Sequence, residues 1–193
     1  VRIEPGVERH PLPDVVSGLI PPDRGEAFFC GASWLSMPAD DHAAARGKIG
    51  RVFGDHGWVS NLDVDENITL AARYHGSMTD EQLARALDQW CDIAGLASLP
   101  QTRPAATDRA LLARAQWVRA ALTSPRLLVL EFPGRHLAGA WRLDLLKLVN
   151  RLRESGTAVL WLCESEQEWS DATVKPSLKL IAERNRLLPE RDA

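Results

Sequence analysis

Two short runs of this chain are apolar at every position: residues 127–130, Leu-Leu-Val-Leu, and residues 158–162, Ala-Val-Leu-Trp-Leu. A strand with one face in water alternates apolar and polar side chains, so strands that are apolar throughout are buried on both faces. Such burial is typical of a parallel sheet that is covered by helices. The sequence therefore predicts an α/β fold with a mostly parallel sheet flanked by helices.

Helical periodicity fills the stretches between the predicted strands. Thr79 and Gln82 form a capping box, and Gly95 ends the helix that follows it. A second helix is predicted to end before Pro125, because the residue that precedes a proline disfavours helical backbone. The apolar sides of this helix and of a third one, over residues 137–153, consist of Leu111, Ala115, Val118 and Leu122 and of Leu143, Leu146, Val149 and Leu152, respectively.

Three further apolar runs are predicted to be strands. They cover residues 27–30, 49–53 and 178–182, and a glycine follows each of the first two. Residues 184–193 are mostly polar and are predicted to form a tail. Because strands and helices alternate along the chain, the pattern favours parallel strands with helical connections between them.

The charge and cysteine content exclude several functional classes. The 23 basic and 26 acidic residues give a net charge of −3, so no basic surface favours nucleic acid. No apolar run approaches the roughly 20 residues of a membrane span, and we expect no direct insertion into a membrane. Cys30, Cys91 and Cys163 lie far apart among apolar neighbours, which is typical of reduced core thiols in a cytosolic protein. We expect no metal site.

Several segments resemble, in order and spacing, the ATP-binding cassette (ABC) family of transporter nucleotide-binding subunits. They are residues 17–26, 49–56 and 61–68, the helix from residue 107, the strand that ends in Glu131, Phe132 and Pro133, and the helix and strand that follow it. The resemblance covers nearly the whole chain. It implies a P-loop NTPase-like α/β core with an inserted helical subdomain and a truncated N-terminus.

The resemblance also implies a division of the chain. Residues 1–60 and 107–183 would form the cassette core, residues 61–106 the helical subdomain, and residues 184–193 the polar tail. Two finer features, Trp58 after the Asp-His-Gly run and the stretch 174–178, are similar to divergent cassettes of bacterial lipid-transport systems of the Mla and Mce type.

The strand over residues 127–130 ends without the family's catalytic pair. In the family it ends in Asp-Glu-Pro, where Asp serves the magnesium shell and Glu polarises the attacking water. Here the two positions hold Glu131 and Phe132. A benzyl ring can neither accept a proton nor orient a water, so we expect no hydrolysis. We interpret Glu131 as a structural residue that caps amides at the strand end.

The phosphate-loop position, residues 3–11, lacks the groups that bind phosphate. Such a loop needs glycines that turn backbone amides toward phosphate, a lysine, and a Ser or Thr. Here the lysine position holds Arg9 and the second glycine position holds Glu8, whose charge would repel phosphate. By position only, Arg9 and Glu131 are candidate cofactor-binding residues, and we expect neither ATP nor magnesium as a cofactor.

Four more family positions have changed. The glutamine that senses magnesium falls on Gly54, and the switch histidine falls on Glu164. The aspartate of the loop beyond the catalytic strand falls on Ala138, and the signature serine falls on Asp108. Each change removes a group that would contact nucleotide or its metal.

The signature segment, residues 107–111, has neither of the family's two glycines. We interpret it as an ordinary helix start, with Thr107 or Asp108 as the N-cap. On this interpretation Arg109, Arg114 and Arg119 are solvated on the polar side of the helix. The alternative, in which this segment completes the ATP site of a partner cassette, is less favoured.

The resemblance implies partners. ABC cassettes receive a coupling helix of a membrane permease beside the glutamine loop, and residues 54–74 correspond to that surface. We expect Asp55, His56, Trp58 and Tyr74 to contact the partner, with Trp58 as the anchor. The implied partners are a permease transmembrane subunit, a second cassette subunit, or both, and the implied location is cytoplasmic, peripheral to the inner membrane through the permease.

Two functions stay open at this point. The first is a non-hydrolytic cassette-like subunit, a pseudoenzyme that serves as a structural or regulatory component of a membrane transport complex, with lipid transport as the narrower form. The second is a divergent but active ATPase subunit whose N-terminus is missing or misassigned at Val1, and which would use ATP and magnesium. A decaying reading frame without a function is a third interpretation.

Overall fold

The computed structural model describes residues 1–7, 9–55, 57–76, 78–135, 137, 141–183 and 186–190. The predicted site positions Glu8, His56 and Ala138 lie outside the described residues. The helices are α1 (Leu12–Val16), α2 (Ala39–Arg46), α3 (Val64–Tyr74), α4 (Asp80–Ala94), α5 (Arg109–Ala121), α6 (Trp141–Glu154) and α7 (Glu166–Trp169), with a 3₁₀ helix at Pro104–Ala106. The strands are β1 (Phe28–Phe29), β2 (Ala32–Ser33), β3 (Ile49–Val52), β4 (Leu127–Glu131), β5 (Ala158–Leu162), β6 (Leu180–Glu183) and β7 (Arg186–Pro189).

A parallel sheet in the order β3-β4-β5 forms the centre of the fold. The parallel sheet is confirmed, and its middle strand is fully buried at residues 128–130 as predicted. The prediction of full burial is wrong for β5, where Leu162 is buried and Ala158 is exposed. The first residues of the chain continue this layer. The Ile3 amide donates to the Cys163 carbonyl and the Arg2 amide donates to the Leu180 carbonyl, both at 2.8 Å. The segment at the phosphate-loop position therefore starts next to the end of β5.

Helix α5 packs directly on β3 because Gly50 has no side chain. A Cβ atom at Gly50 would lie 2.0 Å from the Ala120 carbonyl oxygen, well inside van der Waals contact. Trp117 and Val118 of α5 are fully buried in the same core. This close approach determines where β3 lies and therefore where the residues after it emerge.

Pairing and packing differ from the prediction in three places. The predicted tail is wrong, because Arg186–Pro189 forms β7 and pairs antiparallel with β6. All four residues of β7 are exposed, so the strand has no buried apolar face that the sequence pattern could indicate. β1 and β2 form a hairpin separate from the central sheet. The predicted apolar side of α6 is right for Val149 and Leu152, which are buried, and wrong for Leu143, which is 59% exposed; Leu145 and Leu148 are buried instead.

Helix α4 begins as the capping box predicts. The Thr79 amide donates to Gln82 at 2.9 Å, the Gln82 amide donates back to the Thr79 hydroxyl, and Gly95 ends the helix in a left-handed conformation at φ 68°. Residues 61–106 contain α3, α4 and the 3₁₀ helix, and their separation as a subdomain stays a prediction. Within the described residues, no helix has both the length and the apolar character needed to cross a membrane.

Candidate functional site

The carboxyl ends of the parallel strands and the segment before α1 meet at one edge of the sheet. In open α/β folds this edge is where ligands bind, because the strand ends and the loops that follow them leave a crevice there. A cavity of about 390 Å³ opens at this edge. Its lining consists of Arg9, Asp14, Leu19, Arg51, Phe53, Asp55 and Glu131.

Two arginines and two carboxylates form an ion network in this cavity. Arg51, on β3, donates through Nε to Glu131 and through Nη1 to Asp14 at 2.7 Å. Arg9 donates to the second Asp14 oxygen at 2.6 Å. The side chains of Arg51, Asp14 and Glu131 are 9%, 7% and 8% exposed, whereas Arg9 is 77% exposed. The buried carboxylates are thus neutralised by cations of the same chain.

This network corrects the role predicted for Glu131. In the described part of the chain its carboxylate accepts from the Arg51 side chain rather than from strand-end amides. Arg51 also binds the neighbouring carboxylate of Asp14 and affects its pKa. Burial acts to raise the pKa of Asp14, but the hydrogen bonds and charges of Arg51 and Arg9 outweigh it and hold that pKa below its ordinary value.

Phe132, at the position of the family's water-activating glutamate, is buried in an apolar cluster. Its side chain is 4% exposed and packs with Ile3, Leu162 and Ala182. The backbone has a φ of 46°, which is unusual for a bulky residue, and its amide donates to the Leu162 carbonyl at 3.0 Å. The ring therefore fills space and has no polar atom with which to orient a water.

Arg135 forms a second network at the same edge. It donates to Asp55 at 3.0 Å and to both carboxylate oxygens of Glu164 at 3.2 and 3.1 Å. It also reaches the Val7 carbonyl at 3.5 Å, and its guanidinium lies 4.3 Å from the centre of the Phe132 ring. Glu164, at the switch-histidine position, is therefore engaged by a cation of the chain.

The segment at the phosphate-loop position makes its own tight turn. Gly6 has a φ of 86°, and the Val7 amide donates back to the Glu4 carbonyl at 3.4 Å. Helix α1 follows Pro11 and contains only five residues. Pro11 and Pro13 remove two amide donors at its start, where a phosphate-binding helix would need them.

The signature segment is a capped helix start, as expected. Asp108 is the N-cap of α5, and its carboxylate accepts from the Ala110 amide at 2.8 Å and from the Leu111 amide at 3.3 Å. The prediction of a solvated Arg114 is wrong. Its side chain, 20% exposed, donates to the Ala94 carbonyl and to Asp144 at 2.9 Å, which ties α5 to α4 and α6.

The prediction of a solvated Arg119 is also wrong. Its guanidinium lies 4.7 Å from the Trp58 ring centre and 5.5 Å from that of Phe53, and it donates to the Gly57 carbonyl. Burial lowers the pKa of Arg119 to about 10. No carboxylate pairs with it within the part of the chain that the structure describes, so the aromatic rings and the carbonyl supply its stabilisation.

The expected partner-contact residues differ in exposure. Tyr74 is 80% exposed at the end of α3. Trp58 is half-buried: its ring packs against the main core and contacts the Arg119 guanidinium. Asp55 is held by Arg135. Their contact with a partner stays a prediction.

Sequence reasoning missed Asp14, Arg51 and Arg135. Arg51 carries a detectable signal, because it interrupts an apolar run that is predicted to be buried, and a buried charge needs an opposite charge beside it. The partner could have been sought at the end of a neighbouring strand, where Glu131 stands. Arg135 lies in a turn, where an arginine is ordinary, and carries no such signal.

The fold is mixed α/β, with a parallel sheet flanked by helices, and it matches the fold of an ABC ATPase cassette. No protein-family model matches the chain. Its fold is similar to that of the ABC transporter cassette MJ0796 in a dimeric structure, with a TM-score of 0.72 at 19% identity over 80% of this chain and 68% of that one. A post-hydrolysis state of MJ0796 bound to ADP and Pi gives a TM-score of 0.71 at the same identity and coverage.

Sequence relatives narrow the class. The chain is 27% identical over 175 residues to the lipoprotein-releasing system ATP-binding protein LolD 1 of Rhodopirellula baltica, covering 90% of this chain and 71% of that protein. It is 30% identical over 157 residues to the Fe(3+) ions import ATP-binding protein FbpC of Streptomyces coelicolor, covering 79% and 42%. The molybdenum import ATP-binding protein ModC of Paramagnetospirillum magneticum is 26% identical over 162 residues, covering 80% and 42%. The chain is thus similar in sequence and in fold to ABC transporter ATP-binding subunits, and it spans less than half the length of the latter two relatives.

The expectation of no cofactor is wrong, because it conflicts with the proteins to which the chain is similar. The three relatives are ATP-binding proteins by name, and one of the similar structures holds ADP and Pi. ATP, with magnesium, is the ligand that the family implies.

The residues present at the site do not fit magnesium-dependent hydrolysis. Glu131, at the magnesium-shell position, is engaged by Arg51, and the next position is the buried ring of Phe132. Among the described residues, no group of three or more His, Cys, Asp or Glu side chains is placed to hold a metal ion. This geometry bears on turnover and leaves open the binding of ATP itself.

Proposed function

We propose that this ABC transporter ATP-binding-subunit-like chain does not hydrolyse ATP and serves as a structural or regulatory component of a membrane transport complex. The observation that carries the proposal is Phe132. Where the family needs a carboxylate that activates water, the chain has a ring that is 4% exposed and packed among apolar side chains. Removing the base from a hydrolytic site removes the group that takes up the proton of the attacking water.

Neighbouring side chains pair with or pack against the residues at the changed positions, and this supports a fold that has been retained for a function. Glu131 is paired with Arg51, and Glu164 is paired with Arg135. Gly54 leaves the space into which the Phe132 ring fits. A chain that decays without selection would accumulate unpaired buried charges, each of which costs several kcal/mol. The matched pairs favour a retained function over a decaying reading frame.

The partners in this proposal are a permease transmembrane subunit, a second cassette subunit, or both. Family members are cytoplasmic and peripheral to the membrane, and we place this chain there. A cavity of about 400 Å³ lies between β3, α3 and α5, within reach of the exposed Tyr74. Its position beside residues 54–74 supports this surface as the docking site. Lipid transport is the narrower part of the proposal, and it rests on the resemblance of Trp58 and of residues 174–178 to cassettes of the Mla and Mce type.

Phosphate release from ATP by the purified chain, with magnesium present, tests the proposal. We expect the wild-type chain and its Glu131→Gln variant, purified in parallel, to give the same trace as buffer. The matched variant guards against a contaminating ATPase, because a contaminant would release phosphate in both samples. Magnesium-dependent release by the wild type that Glu131→Gln abolishes would overturn the proposal.

A divergent active ATPase is the second candidate. The names of the relatives favour it, as do the retained left-handed Gly6 in the phosphate-loop segment and the carboxylate of Glu131. Calorimetry on the same samples measures the affinity for ATP, and under the first candidate the chain binds ATP without turnover. Turnover in the phosphate assay would establish the second candidate.

A further inference from the structure

We infer that Arg135 is a positioning residue that ties the segment after β3 to the sheet edge through the chain's own charges. The post-β3 segment is defined here as Gly54, Asp55, Gly57 and Trp58. The inference rests on the proposed function in one respect, since this segment belongs to the proposed partner surface. Its physical basis is the set of contacts that one guanidinium makes.

Arg135 connects three stretches of chain that are distant in sequence. Its fork binds both oxygens of Glu164, after β5, while Nη1 binds Asp55, after β3. Nη2 also points to the Val7 carbonyl, before α1. Guanidinium is suited to this role because its five donors are held in one plane and serve several acceptors at once.

The ion pair between Arg135 and Glu164 is largely buried, and burial strengthens electrostatic contacts. The Arg135 side chain is 18% exposed and that of Glu164 is 29% exposed, so both are largely withdrawn from water. The Phe132 ring lies on one face of the guanidinium at 4.3 Å and shields it further. Without Arg135, the Glu164 carboxylate would lose the cation that binds both of its oxygens, and this loss favours its movement toward water.

A second arginine holds the other end of the post-β3 segment. Arg119 binds the Gly57 carbonyl and stacks on Trp58. This contact is with a carbonyl and a ring, whereas Arg135 makes ion pairs, one of them with the 40%-exposed Asp55. Salt screens partly exposed ion pairs and leaves buried packing nearly unchanged. Added salt should therefore weaken the ion pair of Arg135 with Asp55 more than the contacts of Arg119.

Hydrogen exchange of the backbone amides tests the inference. In Arg135→Ala we expect exchange at residues 53–55 to rise by about tenfold, the change expected on losing charge-assisted hydrogen bonds. Amides at residues 57–59, which Arg119 holds, should change less. Arg135→Lys, which keeps the charge but not the fork, should give an intermediate rate.

Arg142→Ala is the matched control. Arg142 is also an arginine with low exposure, 24%, and pairs with Asp171 at 2.6 Å away from the post-β3 segment. Its loss should leave exchange at residues 53–55 unchanged. If Arg135→Ala does not fold, Glu164→Gln removes the charge that the guanidinium fork binds and should raise exchange at the same residues. Unchanged exchange there in the folded variants, or a rise equal to that in Arg142→Ala, would overturn the inference.

The exchange result is independent of the hydrolysis assay. If the wild type hydrolyses ATP, the proposed function fails, yet local exchange in Arg135→Ala still decides whether this residue positions the segment. If the wild type is inactive and exchange does not respond, the proposed function survives and the positioning role fails.

Discussion

The ring of Phe132 lies against the bare backbone of Gly54. A Cβ atom at Gly54 would approach Phe132 Cδ2 to 3.2 Å and Arg135 Nη1 to 3.7 Å. Compared with the glutamine and glutamate of the ABC family, one position has lost its side chain and the other has gained a ring. Protein interiors are close-packed, so the two changes depend on each other. The pair keeps this part of the site close-packed.

Restoring the family's glutamine by Gly54→Gln should destabilise the chain. The new Cβ would press on the Phe132 ring, and overpacking of this kind costs about 1–3 kcal/mol in the free energy of unfolding. Urea unfolding measures the loss. In a double-mutant cycle, Phe132→Ala should relieve part of the cost of Gly54→Gln, because it removes the atom that would be struck. Strict additivity of the two changes would contradict the predicted contact.

Loss of the Glu131 carboxylate should cost much more than loss of an exposed one. Glu131→Ala leaves the buried Arg51 with one carboxylate instead of two, and breaking a buried pair typically costs about 3–5 kcal/mol. Glu131→Gln keeps an acceptor oxygen and should cost less. Glu154→Ala is the control, since its pair with Arg151 is more than half exposed and such pairs contribute about 1 kcal/mol or less. Equal losses in Glu131→Ala and Glu154→Ala, measured by urea unfolding, would refute a buried network.

Stability should fall in acid partly through Asp14. Its pKa is lower in the folded chain than in the unfolded one, so its contribution is fully present above the ordinary aspartate pKa and is lost as pH falls through the folded value. The difference in unfolding free energy between wild type and Asp14→Asn should therefore be largest near neutral pH and shrink below about pH 4. Urea midpoints over a pH series give this difference. A difference that stays constant down to acid unfolding would show that Asp14 is not held by its arginines.

The three cysteines should differ in reactivity in the native state. Cys30 is exposed, whereas Cys91 and Cys163 are buried. Burial raises the pKa of Cys163 to about 11, so at neutral pH it is a thiol and a poor nucleophile. Titration with a thiol reagent should modify one cysteine rapidly and all three only after denaturation, and peptide mapping should place the first label on Cys30. Rapid native labelling of Cys163 would contradict its place at the end of β5.

The local and periodic features of this fold could be predicted from the sequence. Apolar runs indicated the parallel strands, the Thr79 box and Gly95 bounded α4, and Asp108 was one of two N-cap candidates for α5. These succeed because helix caps and strand burial depend on residues close together in the chain. The core-facing side of α6 was predicted only in part, with Val149 and Leu152 right and Leu143 wrong, because several leucines are interleaved there and only packing against the sheet selects among them.

What the sequence determined by itself is the identity of each changed position: a ring at Phe132, no side chain at Gly54, and acids at Glu131 and Glu164. Only the tertiary structure decided which side chains pack against or pair with these residues. Arg51 meets Glu131 and Arg135 meets Asp55 across 80 residues in each case, and β7 forms because β6 lies beside it. Such pairings carry no periodic signal, since they depend on which strand ends the fold brings to one edge. The physical reason is that buried charges are satisfied by proximity in space, and that proximity exists only once the sheet has formed.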